Sequence, residues 1–281
     1  IYAGVFAMSM SGDASRVAIG QPSWRLMSCT TSADDCWDNG IVRVFQLNEG
    51  SWSQLGSSIT GQRKYEAAGR STSLSSDGKR LVVGMPLSPL LPGRVLVYEE
   101  SGGEWTQVGD DIMGDIDIDG IGTGLAVSIS ADSKRVAASS PRKDDTGCVH
   151  VFEEIAGVWT QIGDDIDGEN EGDFFGGWAL QLSADGKRVA IGATGNDMNG
   201  ADSGHVRVFQ ESSGEWTQVG NDINGEAAGD RSGKSVSLSA DGTRVAIGAD
   251  KNDGVNGADS GHVRVFQESS GDWTQVWDDI D

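Results

Sequence analysis

Three stretches of this sequence carry residues of the type and spacing that hold a cation. The segment GDIDIDG at Gly114–Gly120 sets Asp115, Asp117 and Asp119 at alternate positions before a glycine, like the first half of an EF-hand loop. The twelfth position of such a loop needs a bidentate Glu, and Ala126 stands there, so this is not an EF-hand. It reads either as a partial cation loop or as an ordinary solvated turn. The other two stretches are GNDMNGADSG and KNDGVNGADSG, in which Asn196, Asp197, Asn199 and Asp202 match Asn252, Asp253, Asn256 and Asp259. Carboxylates and amides are the hard oxygen donors that Ca2+ takes. Asn, Asp and Gly are equally what irregular turns need, because they tolerate left-handed backbone and cap their own amides. Ca2+ is thus the cofactor these loops would bind, with Asp115, Asp117, Asp119, Asp197, Asp202, Asp253 and Asp259 as its ligands.

Nucleophiles and bases are few. Cys29 and Cys36 share one long loop, WRLMSCTTSADDCWDNG, and are close enough to form a disulfide. A disulfide would suit an oxidising compartment; two free thiols in a cytosolic protein is the other reading. No second Cys or His pair accompanies them, so the spacing does not describe a zinc site. Cys148 lies alone in a strand-like run. His205 and His262 share one repeat position, and His150 falls two positions later in its own copy. Neither a Ser-His-Asp nor a Cys-His constellation is expected from them.

The elements that position these residues repeat. Five copies of one unit are marked by SRVAIG at Ser15, KRLVVG at Lys79, KRVAAS at Lys134, KRVAIG at Lys187 and TRVAIG at Thr243. Each continues into an alternating run (IVRVFQ, RVLVYE, CVHVFE and HVRVFQ twice) and then reaches a tryptophan, at Trp52, Trp105, Trp159, Trp216 and Trp273. Within the last unit the alternation predicts four strands, beginning at Ser235, Arg244, His262 and Trp273. The first two are joined by an Asp-Gly pair, the strongest short hairpin signal. Asp13-Ala14 and Asp132-Ser133 replace that pair in the first and third units, which predicts looser turns there. Small residues in the first two strands and bulky ones later suit sheets that crowd at an axis and diverge outward. The fold expected is all-β, a β-propeller of five four-stranded antiparallel blades. One repeat domain spans 1–281, with blades at about 1–60, 61–114, 115–168, 169–225 and 226–281. The chain opens in a strand-like GVFAMSMS, so a processed, excised or partial chain is expected.

The units resemble FG-GAP repeats, the type that builds the propeller of integrin α-subunits. Gly20-Gln21-Pro22, Gly84-Met85-Pro86 and Ser139-Ser140-Pro141 match the GAP element in part, and Phe175-Gly176-Gly177 approximates the FG element. The run GHVRVF matches the family's third strand. The resemblance implies an extracellular interaction fold. The family's calcium loop between the first two strands does not carry over, because the short SADG turn cannot supply six to eight oxygens.

A formal net charge of −22 excludes nucleic acid as a partner. No apolar run reaches about 18 residues, so no membrane insertion is expected. Each tryptophan begins a repeated strand, which favours a packing anchor over a sugar-stacking face. Acidic residues recur from unit to unit, as in GDDIMG, GDDIDG and GNDING, and so read as turn chemistry rather than as a glycosidase pair. The functional expectation is a non-enzymatic adhesion or interaction scaffold, at the cell surface or outside the cell, with a protein or glycan partner that includes further copies of itself. A self-assembling fibre or surface-layer subunit and a multivalent lectin are the alternatives.

Overall fold

Short turns join the first to the second strand and the third to the fourth in each repeat, longer loops join the second to the third, and the result is an up-and-down antiparallel sheet. The computed structural model describes residues 6–22, 39–63, 65–86, 92–114, 122–254 and 256–281. In the fourth repeat the strands Phe175–Leu182, Arg188–Ala193, His205–Ser212 and Glu215–Gln218 pair in chain order. The second strand is buried from Val189 to Ala193, as expected of the Val-Ala-Ile-Gly-Ala run that two neighbours cover. The all-β class of antiparallel four-stranded sheets is therefore as the sequence predicts.

The described residues divide into two compact units, Ile1–Ile129 with Glu154–Trp159, and Ser130–Glu153 with Thr160–Asp281. In the first, Ala18, Val42, Val44, Leu74, Leu81, Val83 and Leu96 form a common apolar core. In the second, Val206, Val208, Leu238, Val245, Ile247 and Phe266 do so.

Two features of the sheets differ from expectation. The outer strand is interrupted: Glu215–Gln218 pairs with the far half of His205–Ser212, and Ile223–Asn224 pairs with its start. Gly220, at φ +71°, turns the chain out between the two pieces. This break, repeated at Gly56, Gly109 and Gly163, is what presents the acidic residue of each GDD or GND run toward the start of the third strand. The turns lacking Asp-Gly are also not looser. Ala14 (φ 58°) and Ser133 (φ 64°) adopt the left-handed geometry of Gly78, Gly186 and Gly242. The preceding carboxylate holds them there, since Ser11 Oγ donates to Asp13 Oδ1 at 2.7 Å just as Ser75 donates to Asp77. A Cβ at positive φ costs about 1 kcal/mol. Ala14→Gly therefore raises stability by about 1 kcal/mol, read as a higher urea midpoint with unchanged slope.

Successive repeats are tied together by the residues that recur. Indole N–H groups donate to the outer-strand carbonyl of the preceding repeat: Trp105 to Leu55 at 3.0 Å, Trp159 to Val108 at 3.1 Å, Trp216 to Ile162 at 2.9 Å and Trp273 to Val219 at 2.8 Å. These tryptophans are packing anchors, as their repetition suggested. The arginine that opens each second strand reaches forward in the same way. Arg16 donates to Gly78 O at 2.9 Å and Glu100 at 3.0 Å, and Arg135 to Gly186 O at 3.3 Å and Glu211 at 3.0 Å.

Candidate functional site

The first residue of the third strand occupies one repeat position, filled by Ile41, Arg94, Cys148, His205 and His262. Seventeen residues on, beyond the break in the outer strand, stands the acid of the GDD-type run: Asp111, Asp165, Asp222 and Asp279, with Ser58 in the first repeat. Strand pairing brings these two positions together. The Gln of each W-T-Q strand aims the acid, donating to Asp111 Oδ1 at 2.9 Å, Asp165 Oδ1 at 2.8 Å, Asp222 Oδ1 at 2.7 Å and Asp279 Oδ1 at 2.7 Å. One scaffold thus carries different chemistry in each repeat.

In the second repeat the position holds its own cation. Arg94 is 4% exposed and grips Glu66 with Nε to Oε1 at 2.7 Å and Nη2 to Oε2 at 3.0 Å. Its remaining nitrogen, Nη1, donates to Asp111 Oδ2 at 2.5 Å. Burial pushes Asp111 up, and the hydrogen bonds from Arg94 and Gln107 outweigh it, so its carboxyl lies below the usual range.

The third repeat breaks the pattern twice, with Cys148 at the shared position and His150 two residues later. Cys148 Sγ lies 3.2 Å from His150 Nε2, and His150 Nδ1 lies 2.9 Å from Asp165 Oδ1. A carboxylate on Nδ1 fixes the Nδ1–H tautomer and leaves Nε2 to accept from the thiol. The expectation that no Cys-His constellation exists is therefore corrected. Cys148 and His150 sit two apart on one strand and so share a face, and the outer-strand break delivers an acid from 15 residues away. Lys143 Nζ donates to the other oxygen, Asp165 Oδ2, at 2.7 Å. Burial pushes Asp165 up, but hydrogen bonds from Lys143 and Gln161 and the charges of His150 and Lys143 outweigh it and hold it at about 2. A depressed carboxyl stabilises the fold above its unfolded value near 4, and that contribution disappears as pH falls toward 2. The stability difference between wild type and Asp165→Asn should accordingly shrink between pH 4 and 2 in urea titrations.

The fourth and fifth repeats place a histidine there. His205 is 1% exposed, with Nδ1 3.7 Å from Asp222 Oδ2, and Glu169 from the start of the fourth repeat completes the group. Burial lowers the His205 pKa, Asp222 opposes this and Arg207 adds to it, so the imidazole is held neutral. His262 repeats the arrangement, 3.5 Å from Asp279 and 3.8 Å from Glu226. Among the described residues, three groups of this kind could hold a metal ion: Cys148-His150-Asp165, Glu169-His205-Asp222 and Glu226-His262-Asp279.

The acids singled out from sequence sit elsewhere. Asp197 and Asp253 are exposed and accept from the backbone N–H groups of Asp202 and Asp259, both at 2.9 Å, which closes their loops. Asp259 also lies 3.3 Å from Lys251. Asp115, Asp117, Asp119, Cys29 and Cys36 lie outside the described residues. The groups that do converge were missed because each acid lies 15 to 36 residues from its histidine. The available signal was the constant spacing of 17 between the first residue of the third strand and the acid.

No protein-family model matches the sequence, and no curated protein does. Solved structures do. The periplasmic gluconolactonase of Pseudomonas aeruginosa superposes with a TM-score of 0.61 at 19% identity, covering 96% of this chain and 70% of its own. A candidate 6-phosphogluconolactonase from Bacteroides uniformis gives 0.63 at 13% identity, over 98% and 84%. Hydrazine synthase of Kuenenia stuttgartiensis gives 0.55 at 14%, over 94% and 77%. The fold is a β-propeller; nothing in these likenesses is specific to FG-GAP or integrin propellers. They overturn the expectation of a non-enzymatic scaffold, whether for adhesion, as a fibre or surface-layer subunit, or as a lectin. That expectation rested on finding no Cys-His constellation, and the third repeat places Cys148, His150 and Asp165 within hydrogen-bonding distance. Among the described residues no helix is long and apolar enough to cross a membrane.

Proposed function

We propose that this chain is a hydrolase that opens a cyclic ester, working by acyl transfer through Cys148. The observation that carries the reading is the continuous line from Cys148 Sγ through His150 to Asp165, at 3.2 and 2.9 Å, in the repeat that puts a cysteine at the shared position. Repeated residues are explained by the architecture they repeat; a departure that builds a nucleophile, a base and an orienting acid is not. The names of the similar structures, gluconolactonase and 6-phosphogluconolactonase, support a sugar-acid lactone as the substrate class.

The chemistry follows from the geometry. His150 Nε2 takes the thiol proton as Cys148 Sγ attacks the lactone carbonyl. The ring C–O bond then breaks, and the leaving alkoxide takes the proton back from the imidazolium, giving a ring-opened thioester. Water, deprotonated by the same nitrogen, attacks the thioester; the C–S bond breaks and the hydroxy acid leaves with Cys148 regenerated. Asp165 keeps Nδ1 protonated throughout and is held by Gln161, joined by Lys143 while the connection that carries it is closed. Cys148 is 1% exposed, so substrate entry needs an element to move. The hairpin connection 141–147, which leads directly into Cys148 and holds Asp144 and Asp145 at positive φ, is the element we assign to that movement.

The five repeats are read as five blades of one propeller, which a five-lobed ring in electron micrographs would check. The periplasmic neighbour supports a location outside the cytoplasm. The function is tested by pH-stat assay of the purified chain against glucono-δ-lactone and simple γ- and δ-lactones, before and after iodoacetamide. Turnover above the spontaneous rate, lost when mass spectrometry shows Cys148 alkylated, is expected. Turnover that persists on fully alkylated Cys148, or none on any lactone, overturns the assignment.

A further inference from the structure

We propose that Glu169, His205 and Asp222 bind a divalent transition-metal ion of the Zn2+ type, in the place where the second repeat carries its own cation. Arg94 and His205 open equivalent strands, and Asp111 and Asp222 stand seventeen residues beyond each, aimed by Gln107 and Gln218. A second carboxylate completes each group, Glu66 in one and Glu169 in the other. In the second repeat the guanidinium fills the space between the acids with hydrogen bonds of 2.5 to 3.0 Å. In the fourth, an imidazole replaces it, and the nearest guanidinium, Arg207, stands 3.5 Å from each acid, on Glu169 Oε1 and Asp222 Oδ1, rather than between Asp222 Oδ2 and the imidazole.

The imidazole shows the consequence. His205 is 1% exposed, and its Nδ1 has no hydrogen-bond partner. At 3.7 Å from Asp222 Oδ2 it is too far for a hydrogen bond. Two donors on one tetrahedral ion, with bonds of about 2.0–2.2 Å, stand roughly 3.3–3.6 Å apart, so the spacing suits a shared metal instead. Asn224, directly opposite His205 in the strand register, leaves its Oδ1 buried and unpartnered as well. A buried polar atom without a partner is costly, and two at one register position mark a site that an ion would satisfy.

The surroundings fit a metal's outer partners. Gln218 and Arg207 both approach Asp222 on Oδ1, at 2.7 and 3.5 Å, which leaves Oδ2 toward His205. Arg207 is itself held by Gln218 Oε1 at 2.8 Å and lies 3.5 Å from Glu169. One imidazole and two carboxylates favour a borderline ion over Ca2+, whose ligands are all oxygens. The Cys148 group is already closed by its own hydrogen bonds and by Lys143, so it does not compete on the same terms. Glu226, His262 and Asp279 repeat the donor set in the fifth repeat.

The test uses the untagged chain, stripped with a chelator, and reads binding rather than turnover. Titration with Zn2+ by calorimetry and with Co2+ by visible absorption should show saturable binding with Co2+ d–d bands and no thiolate charge transfer. His205→Arg, which copies the second repeat, should remove one equivalent of ion while melting at or above the temperature of the stripped wild type. Glu169→Gln should weaken the same site by at least about 10-fold, and decides the matter if His205→Arg does not fold. Cys148→Ser should leave the stoichiometry unchanged. Equal metal uptake by His205→Arg and wild type, no uptake by either, or a charge-transfer band abolished by Cys148→Ser would each overturn the assignment.

Discussion

Replacing Cys148 by serine should lower lactone turnover by on the order of 10³-fold or more and move the melting temperature by no more than a few degrees. The two side chains differ by one atom, and the site already accommodates a small polar group beside Ser140 Oγ, which lies 3.5 Å from the same His150 Nε2. What changes is the nucleophile, since a serine hydroxyl is far weaker than a thiol at neutral pH unless its whole site is built for it. His150→Gln should cost about as much, and the double variant should cost no more than either alone. Such non-additivity is the mark of residues that act as one unit. Asp165→Asn should retain the fold and lose activity, because an amide that donates to Nδ1 turns the tautomer around and leaves Nε2 carrying the proton. A merely structural network predicts the reverse pattern: altered melting in all three variants with turnover unchanged. The measurements are kcat/KM by pH-stat and melting by circular dichroism on the same preparations.

Glu66→Ala should destabilise the first compact unit by about 3–5 kcal/mol. Glu66 is 1% and Arg94 4% exposed, and the pair is joined by two parallel hydrogen bonds. Glu66 Oε2 also accepts from the backbone N–H of Gln62 at 2.7 Å and of Arg63 at 2.8 Å. Truncation therefore strands a buried guanidinium with Asp111 as its remaining carboxylate and frees two amides at once. The size of the effect comes from desolvated groups left without partners, rather than from the net worth of the ion pair. The double variant Glu66→Leu with Arg94→Met should recover most of the loss, because both charges leave the interior together. Urea unfolding of the three proteins checks both results. A single variant as stable as wild type would show that water reaches this cluster freely.

The fourth and fifth repeats are the second cluster with a histidine in place of the arginine that opens the third strand, and this is where the sequence was least legible. HVRVFQ at His205 and His262 reads as an ordinary strand, and its first residue gives no sign of facing an acid. Asp197, Asp202, Asp253 and Asp259 drew attention because they are close together in sequence. Proximity along a loop, though, mostly serves the loop, as the amide bonds to Asp197 and Asp253 show. Glu169, His205 and Asp222 lie 36 and 17 residues apart in sequence and meet only in the folded chain.

By itself the sequence determined the repeating unit, the strands within it and the hairpin order, because period-2 burial and short turns are local rules written in adjacent residues. It also pointed to the tryptophans as anchors, a role that Trp105, Trp159, Trp216 and Trp273 fill and the exposed Trp52 does not. Tertiary structure alone decided that the outer strand breaks at Gly220 and its equivalents, turning a run of acids inward. It alone decided that Cys148, His150 and Asp165 form a line, and that His205 faces two carboxylates with its Nδ1 unpartnered. The reason is physical. Hydrogen-bonded turns and alternation act over a few residues, whereas a site is a convergence of side chains whose separation in space is set by register, and register is a property of the paired sheet.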